Sequence, residues 1–173
     1  MLKKSIIRLA TLSDLNSVKN IAEACAEYMI SKGIFQWNEH YPSKEIFKED
    51  ISKEELYVTV IKNIVVGCVM FSKKKDDLYN EIDWLTPDSN NLYVHRLAVH
   101  PKFQGQGLAR SMMDFVELNA QKMNCLSVRL DTFSKNVRNQ KFYKSRGYIK
   151  LGDVYFPKQS DFPFHCFEKL FPD

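Results

Sequence analysis

The sequence lacks several features that would place it in well-known classes of protein. No stretch approaches the roughly twenty apolar residues of a membrane span, and residues 1–8 contain no apolar core long enough for a signal peptide. The four cysteines are far apart and do not follow the spacing of a metal site. They are typical of buried thiols in a reducing compartment. We therefore expect a cytoplasmic protein without a bound metal ion or a membrane anchor.

Strong charge imbalance and low-complexity sequence are absent as well. The net charge is +4, and the one dense basic run, the three lysines at 73–75, is followed directly by two aspartates. Such a run is typical of a solvated loop rather than of a surface for nucleic acid. No repeat or linker divides the chain. With 173 residues, 45% of them hydrophobic, the sequence predicts one ordered domain over residues 1–173 and no binding to nucleic acid.

The most specific pattern lies in residues 92–110. Residues 92–99 are mostly apolar and β-prone, His100 and Pro101 end that strand, and residues 104–107 open a helical pattern. Because the first turn of a helix has unpaired backbone N–H groups and glycine admits close approach, the arrangement predicts a pyrophosphate site. The alternative is an ordinary strand-to-helix turn that uses glycine for its dihedral angles. The third glycine of the dinucleotide fingerprint is missing, and so is the lysine of a P-loop.

The rest of the chain predicts alternating strands and helices. Hydrophobic periodicity and turn residues predict strands over 5–9, 56–61, 65–71, 92–99, 126–131, 148–156 and 162–167, and helices over 15–33, 43–51, 104–123 and 136–146. Residues 73–91 are polar and predict a loop. Because a helix connects strands 92–99 and 126–131, these two strands are expected to be parallel. The fold class is therefore α/β with a mixed sheet.

Two segments resemble the motifs of a known family. Residues 104–109, Gln-Gly-Gln-Gly-Leu-Ala, resemble the acyl-CoA-binding motif Arg/Gln-x-x-Gly-x-Gly/Ala of the GNAT superfamily of N-acetyltransferases. Residues 136–148, which include Asn136, Tyr143 and Gly147, resemble the second family motif, although Asn139 replaces the usual small residue. The resemblance implies a GNAT-type mixed, mostly antiparallel sheet with a central splayed parallel strand pair and flanking helices. It also implies acetyl-CoA as the cosubstrate.

The resemblance assigns cofactor binding to the end of the central strand, the glycine turn and the second motif. The strand backbone would bind the pantetheine arm and polarise the acyl carbonyl, and the turn would bind the pyrophosphate. The implied cofactor-binding residues are Leu97, Ala98, Val99, Gln104, Gly105, Gln106, Gly107, Leu108, Ala109, Arg110, Asn136, Asn139 and Tyr143.

Two residues are candidates for proton transfer. Tyr143, with an ordinary pKa of about 10, is protonated at neutral pH and could donate to the departing sulfur; the alternative is a half-buried aromatic residue without a chemical role. His95 is the candidate general base, and alternation along the strand places it on the same face as Leu97 and Val99. The alternative is a histidine hydrogen-bonded in the interior, and Tyr93, Glu81 and Asp83 remain open as other bases.

Aromatic residues in the first half of the chain suggest an acceptor site. Tyr28, Phe35, Trp37 and Trp84, together with nearby carboxylates such as Asp50, would suit a cationic amine, although aromatic core residues would give the same pattern. The predicted function is direct transfer of an acetyl group from acetyl-CoA to a small-molecule amine in a ternary complex. A non-catalytic CoA-binding sensor or partner module and a protein or peptide N-acetyltransferase are the alternatives. The resemblance allows a homodimer, which no residue pattern requires.

Overall fold

A mixed β-sheet runs through the centre of the domain. The computed structural model describes residues 4–171, and in that part of the chain the sheet has seven strands in the order β1-β2-β3-β4-β5-β7-β6. The strands are β1 (Ile6–Leu9), β2 (Leu56–Ile61), β3 (Ile64–Ser72), β4 (Asn91–Val99), β5 (Ser127–Phe133), β6 (Ile149–Val154) and β7 (Phe164–Leu170). The β4–β5 pair is parallel, and the other neighbouring pairs are antiparallel. The predicted mixed, mostly antiparallel sheet is therefore confirmed.

Four α-helices flank the sheet in the same part of the chain, as predicted. They are α1 (Leu15–Ser31), α2 (Lys44–Ser52), α3 (Leu108–Lys122) and α4 (Val137–Ser145). Local sequence explains their ends: the Ser43 hydroxyl accepts a hydrogen bond from the Ile46 N–H at the start of α2, and Gly33, with a φ of +73°, follows the end of α1. Helix α3 begins at Leu108 rather than at residue 104, because the glycine turn precedes it.

Apolar side chains of the helices cover both faces of the sheet. Helices α1 and α2 pack on one face through buried residues such as Val18 and Phe47, and α3 packs on the other through Met112 and Val116. These residues recur at the three- and four-residue spacing of an amphipathic helix. The packing fixes the N-terminus of α3 beside the end of β4, where the glycine turn joins them.

The two parallel strands part from each other halfway along β4. Their ladder pairs Asn91 with Ser127, Leu92 with Val128, and ends where Tyr93 pairs with Arg129. Beyond that point β4 continues beside β3, and β5 continues beside β7. A gap therefore opens between the C-terminal halves of β4 and β5, as expected for a splayed pair.

A β-bulge in β4 changes which side chains share a face. The β3–β4 register pairs Met70 with His95 and then Cys68 with Ala98, so β4 contains one extra residue, and Arg96 has a φ of +54°. The prediction that His95 shares a face with Leu97 and Val99 is therefore wrong. The His95 ring stacks on a tyrosine of the preceding loop, whereas Leu97 and Val99 pack against the core under α3.

The segment between β3 and β4 is more ordered than a solvated loop. It contains a short 3₁₀ turn, Asp77–Glu81, in which the Tyr79 side chain is fully buried. Trp84 packs against the Tyr79 ring at a centroid distance of 5.2 Å, and its indole N–H donates a hydrogen bond to the Tyr79 carbonyl. Because residues 73–91 are mostly polar, the sequence predicted a loop and not this packed turn.

Within residues 4–171, no helix has the length and hydropathy needed to cross a bilayer. In the same residues, no three histidine, cysteine, aspartate or glutamate side chains are grouped so as to hold a metal ion.

Candidate active site

Two cavities meet at the gap between β4 and β5. The smaller, about 540 Å³, lies along the end of β4, the glycine turn and the starts of α3 and α4; we call it the glycine-turn cavity. The larger, about 810 Å³, lies between α2, the 3₁₀ turn, β4 and β5; we call it the large cavity. The residues that line both are Gln36, Trp37, Leu97, Asn139 and Tyr143. A molecule bound in one cavity can therefore reach a molecule bound in the other at Tyr143.

The glycine turn has the geometry of an anion site. Gly105 and Gly107 have φ values of +78° and +79°, a region that side chains with a Cβ disfavour, and Gly107 is the N-cap of α3. A Cβ at either position would meet no atom within 4 Å, so the backbone angle rather than crowding requires glycine. The free N–H groups of the first turn of α3 point into this region with the positive end of the helix dipole.

The predicted cofactor-binding residues gather around the glycine-turn cavity, with one exception. The residues that line it are Leu97, Ala98, Val99, Gln104, Gly105, Gly107, Leu108, Ala109, Arg110, Asn136, Asn139 and Tyr143. Gln106 is exposed and does not line the cavity. Its side chain extends into solvent because it lies between two glycines at the outer edge of the turn.

Gln104 holds the turn together instead of presenting its side chain to a ligand. Its amide N–H donates to the Val99 carbonyl over 3.0 Å, and its amide oxygen accepts from the Arg138 guanidinium over 3.1 Å. The same contacts keep Arg138 at the rim of the glycine-turn cavity, which Lys32 and Arg110 also line. Arg138 therefore brings the positive charge that Gln104 lacks. Sequence reasoning missed it because Gln104 and Arg138 are 34 residues apart and meet only in the folded chain.

Asn136 and Asn139 order the start of α4. The Asn136 amide oxygen accepts from the Asn139 N–H, and its amide nitrogen donates to the Gln36 side chain over 2.9 Å. Asn139 occupies the space between this cap and Thr132, to which its amide donates over 3.4 Å. Asn136 is thus an N-cap that also joins α4 to the segment after α1.

Tyr143 is the side chain best placed for proton donation. It is buried at the junction of the cavities, and its ring packs against Phe142, Tyr148 and Phe167. Within residues 4–171 no side chain or carbonyl hydrogen-bonds its hydroxyl. Burial, followed by the charge of Asp131, raises the pKa of this hydroxyl above its ordinary value. Tyr143 therefore stays protonated at neutral pH and is available as a donor.

His95 lines the large cavity, but its protonation is unfavourable. Its ring stacks on Tyr79 with a centroid distance of 6.1 Å. Burial and, to a smaller degree, the Arg96 guanidinium lower the pKa of the His95 imidazole from 6.5 to about 3. A neutral imidazole that is so difficult to protonate is a weak proton acceptor, so the geometry gives the predicted base role little support.

Asp131 is a site residue that sequence reasoning missed. It lies on β5 in the gap, lines the large cavity, and accepts a hydrogen bond from the Tyr79 hydroxyl. Burial raises the pKa of its carboxyl from 3.8 to about 6, the Tyr79 hydrogen bond opposes this rise, and Asp76 adds to it. The predicted strand ends at Asp131, but β5 continues to Phe133. A carboxylate inside a buried strand is the signal that could have revealed it.

Three of the four aromatic residues predicted for the acceptor site do not line the large cavity. Trp37 is buried and lines both cavities, as the prediction requires. Tyr28 lines the glycine-turn cavity instead, and Phe35, half exposed, lines neither. Trp84 is also outside both cavities, because its ring packs 4.5 Å from the Arg129 guanidinium. Of the four predicted acceptor residues, the structure therefore brings Trp37 alone to the large cavity, and the acceptor role of Tyr28, Phe35 and Trp84 stays a prediction.

The carboxylate expected from Asp50 is already paired. Its oxygens accept from Arg96 Nε over 2.6 Å and from Arg96 Nη2 over 2.8 Å, and Tyr41 also contacts this guanidinium. The pair places one positive and one negative charge in the wall of the large cavity. Neither group brings a free charge to a ligand.

Comparisons with known proteins agree with this arrangement. Residues 15–148 match the Acetyltransferase (GNAT) family, and the chain belongs to that family. YesJ, an uncharacterised N-acetyltransferase of Bacillus subtilis strain 168, is 25% identical over 162 residues, which are 92% of this chain and 87% of YesJ. The protein is therefore an acyltransferase of the GNAT class.

Solved structures show the same fold. A GNAT-family acetyltransferase from Streptococcus agalactiae 2603 superposes with a TM-score of 0.82 at 23% identity, covering 100% of this chain and 99% of its own. The acetyltransferase yncA from Salmonella typhimurium, solved with its cofactor acetyl-CoA, superposes with a TM-score of 0.72 at 15% identity and covers 98% and 95% of the two chains.

Proposed function

We propose that this GNAT acetyltransferase, which uses acetyl-CoA, transfers the acetyl group directly to the primary amine of a small molecule in a ternary complex. The observation that supports this proposal is the junction of two cavities at Tyr143 and Leu97. Direct transfer needs both substrates to be bound at once with their reacting atoms adjacent, and this junction offers such a place.

The glycine-turn cavity suits acetyl-CoA. The first-turn amides of α3, with Arg138 and Arg110 nearby, would hold the pyrophosphate. The edge of β4 that faces the gap has no ladder partner after Tyr93, so backbone groups before Val99, whose carbonyl already accepts from Gln104, would bind the pantetheine amides as an added strand does. The acetyl end would then lie beside Leu97, and a backbone N–H there would polarise its carbonyl.

Tyr143 would complete the reaction. As the C–S bond breaks, the departing thiolate needs a proton, and the Tyr143 hydroxyl at the cavity junction is protonated and free to supply it. His95 would remain neutral and shape the wall of the acceptor site. The volume of the large cavity, about 810 Å³, is that of a small-molecule site.

The direct test is an assay of the purified protein with acetyl-CoA and three kinds of acceptor: phenethylamine, putrescine, and a peptide with a free N-terminus. We expect calorimetric binding of acetyl-CoA and mass-spectrometric detection of an acetylated small amine. Acetylation of the peptide alone would overturn the small-molecule proposal. Absence of acetyl-CoA binding would overturn the assignment of the glycine-turn cavity.

A further inference from the structure

We propose that Asp131 receives the ammonium group of the acceptor and removes its proton, and that the acceptor is a primary amine on an apolar body. This inference rests on the proposed function and adds to it the base and the class of acceptor. It arises from the Asp131 carboxylate, which lines the large cavity near Tyr143 and has no cationic partner within residues 4–171.

The position of Asp131 suits this role. It lies in the gap where β4 no longer pairs with β5, on the same cavity wall as Tyr143. The Tyr79 hydroxyl donates to Oδ2 of the carboxylate, which leaves Oδ1 for a ligand. An acceptor nitrogen held by Asp131 would therefore be close to the junction at which the acetyl group is expected.

The charges around Asp131 favour a cation. Five titratable groups interact electrostatically with Asp131: Tyr41 before α2, Asp76 and Tyr79 at the 3₁₀ turn, Tyr143 on α4 and Cys166 on β7. His95 on β4 lines the same cavity and stays neutral at pH 7. No residue in 4–171 forms an ion pair with Asp131.

The cations that line the same cavity are largely engaged by other acids. Arg96 is paired with Asp50, and Lys53 with Glu49. Lys75 is paired with Asp88, outside the cavity. Lys74 and Lys158 also line the cavity, as do the carboxylates of Glu55 and Asp76. Asp131, which forms no ion pair in residues 4–171, presents a negative charge beside Tyr143 that an ammonium group would neutralise on binding.

The lining of the large cavity indicates the chemistry of the acceptor beyond its amine. Apolar side chains from several elements line the large cavity, among them Trp37, Met70, Leu97, Leu130 and Phe164. These side chains gain free energy by contact with a hydrocarbon or aromatic body. An aralkylamine or alkylamine would use both these apolar side chains and the Asp131 carboxylate.

The protons balance as follows. The bound ammonium gives one proton to Asp131 and becomes a neutral amine, whose nitrogen forms a bond to the acetyl carbon. The C–S bond breaks, and the sulfur takes the proton of the Tyr143 hydroxyl. The second proton lost by the nitrogen restores Tyr143, and Asp131 releases its proton to solvent. The products are the amide, the free thiol and one proton.

The first test compares Asp131→Asn with Asp114→Asn, a matched control on the exposed side of α3. For phenethylamine at pH 7.5 we expect kcat/KM to fall by about 100-fold or more in Asp131→Asn and to stay within two-fold in the control. Acetyl-CoA affinity, measured by calorimetry, should be unchanged in both. Asp131→Glu should restore part of the activity, because it keeps the carboxylate.

A second test uses Tyr79→Phe as a positioning variant. The Tyr79 hydrogen bond lowers the pKa of the Asp131 carboxyl, so its loss should move the acidic limb of kcat/KM to higher pH. In the wild type we expect that limb at about pH 6. Damage to packing alone would lower the rate at every pH without moving the limb.

The outcomes separate the two proposals. If the wild type acetylates phenethylamine and Asp131→Asn does so at the same rate with the same acidic limb, the Asp131 assignment is wrong and the proposed function stands. If the wild type binds acetyl-CoA but neither binds nor acetylates phenethylamine, hexylamine or putrescine, the small-amine function fails and the assignment fails with it. A preference for putrescine over the two apolar amines would overturn the proposed acceptor class.

Discussion

Arg129 Nε lies 3.1 Å from Glu168 Oε1, and both side chains are fully buried. Arg129 is also the last β5 residue that pairs with β4, opposite Tyr93, whose hydroxyl accepts from its guanidinium over 3.0 Å. The indole of Trp84 covers the guanidinium. This ion pair therefore lies at the point where the β4–β5 ladder ends and the gap begins.

Replacing Arg129 by Met should destabilise the protein by about 3–5 kcal/mol, because Glu168 would be left as a buried charge without its partner. Urea unfolding at pH 7 measures the change. Lys53→Met is the control: Lys53 pairs with Glu49 one helical turn away, and the two side chains are 43% and 61% exposed. That change should cost at most about 1 kcal/mol. Equal costs for the two variants would contradict the role given to burial.

The sequence predicted those features that depend on contiguous residues. The glycine turn and α3 follow from residues 104–107 and the apolar spacing after them, and the parallel pair follows from a helix between two strands. The features it did not predict depend on contacts between distant residues. Tyr79 and Asp131 are 52 residues apart in the sequence but form a hydrogen bond in the fold. The bulge at Arg96 is defined only by the pairing of β4 with β3. Local periodicity contains no information about either.

Replacing Tyr143 by Phe should lower kcat by about 100- to 10,000-fold, because the departing thiolate would lose its proton donor. Acetyl-CoA affinity should change little, since the ring and its packing are retained. Steady-state assays of thiol release and calorimetry with acetyl-CoA separate these effects. Tyr148→Phe is the control: this buried tyrosine donates to Glu117 over 3.2 Å and lines neither cavity. If Tyr143→Phe keeps the wild-type kcat, Tyr143 is not the proton donor.

Replacing Arg138 by Gln should weaken acetyl-CoA binding by about five- to ten-fold, because one charge-assisted contact to a phosphate would be lost. The loss should shrink at high salt, since Arg138 is exposed and its charge is screened. Lys141→Gln removes the same charge from an exposed position on α4 outside both cavities, and we expect wild-type affinity. If the two variants behave alike, the loss reflects net charge rather than the position that Gln104 gives to Arg138.

The raised pKa of Asp131 predicts a pH-dependent effect on stability as well as on activity. The folded protein holds the Asp131 proton more tightly than the unfolded chain, with a pKa of about 6 against an ordinary 3.8. The stability contributed by this proton is fully present below pH 4 and is lost as the pH rises through 6. A shift of this size corresponds to about 3 kcal/mol at most.

Asp131→Asn cannot carry this charge, so its stability relative to the wild type should rise between pH 4.5 and pH 8. Urea unfolding at both pH values measures the difference, and we expect a gain of about 1–3 kcal/mol in favour of the variant across this range. Asp114→Asn, which changes an exposed carboxylate, should show little such trend. A constant difference between Asp131→Asn and wild type at the two pH values would mean that Asp131 titrates normally in the folded protein. In that case the charged Asp131 carboxylate would not destabilise the folded protein. Binding of a cationic acceptor would then relieve no electrostatic penalty.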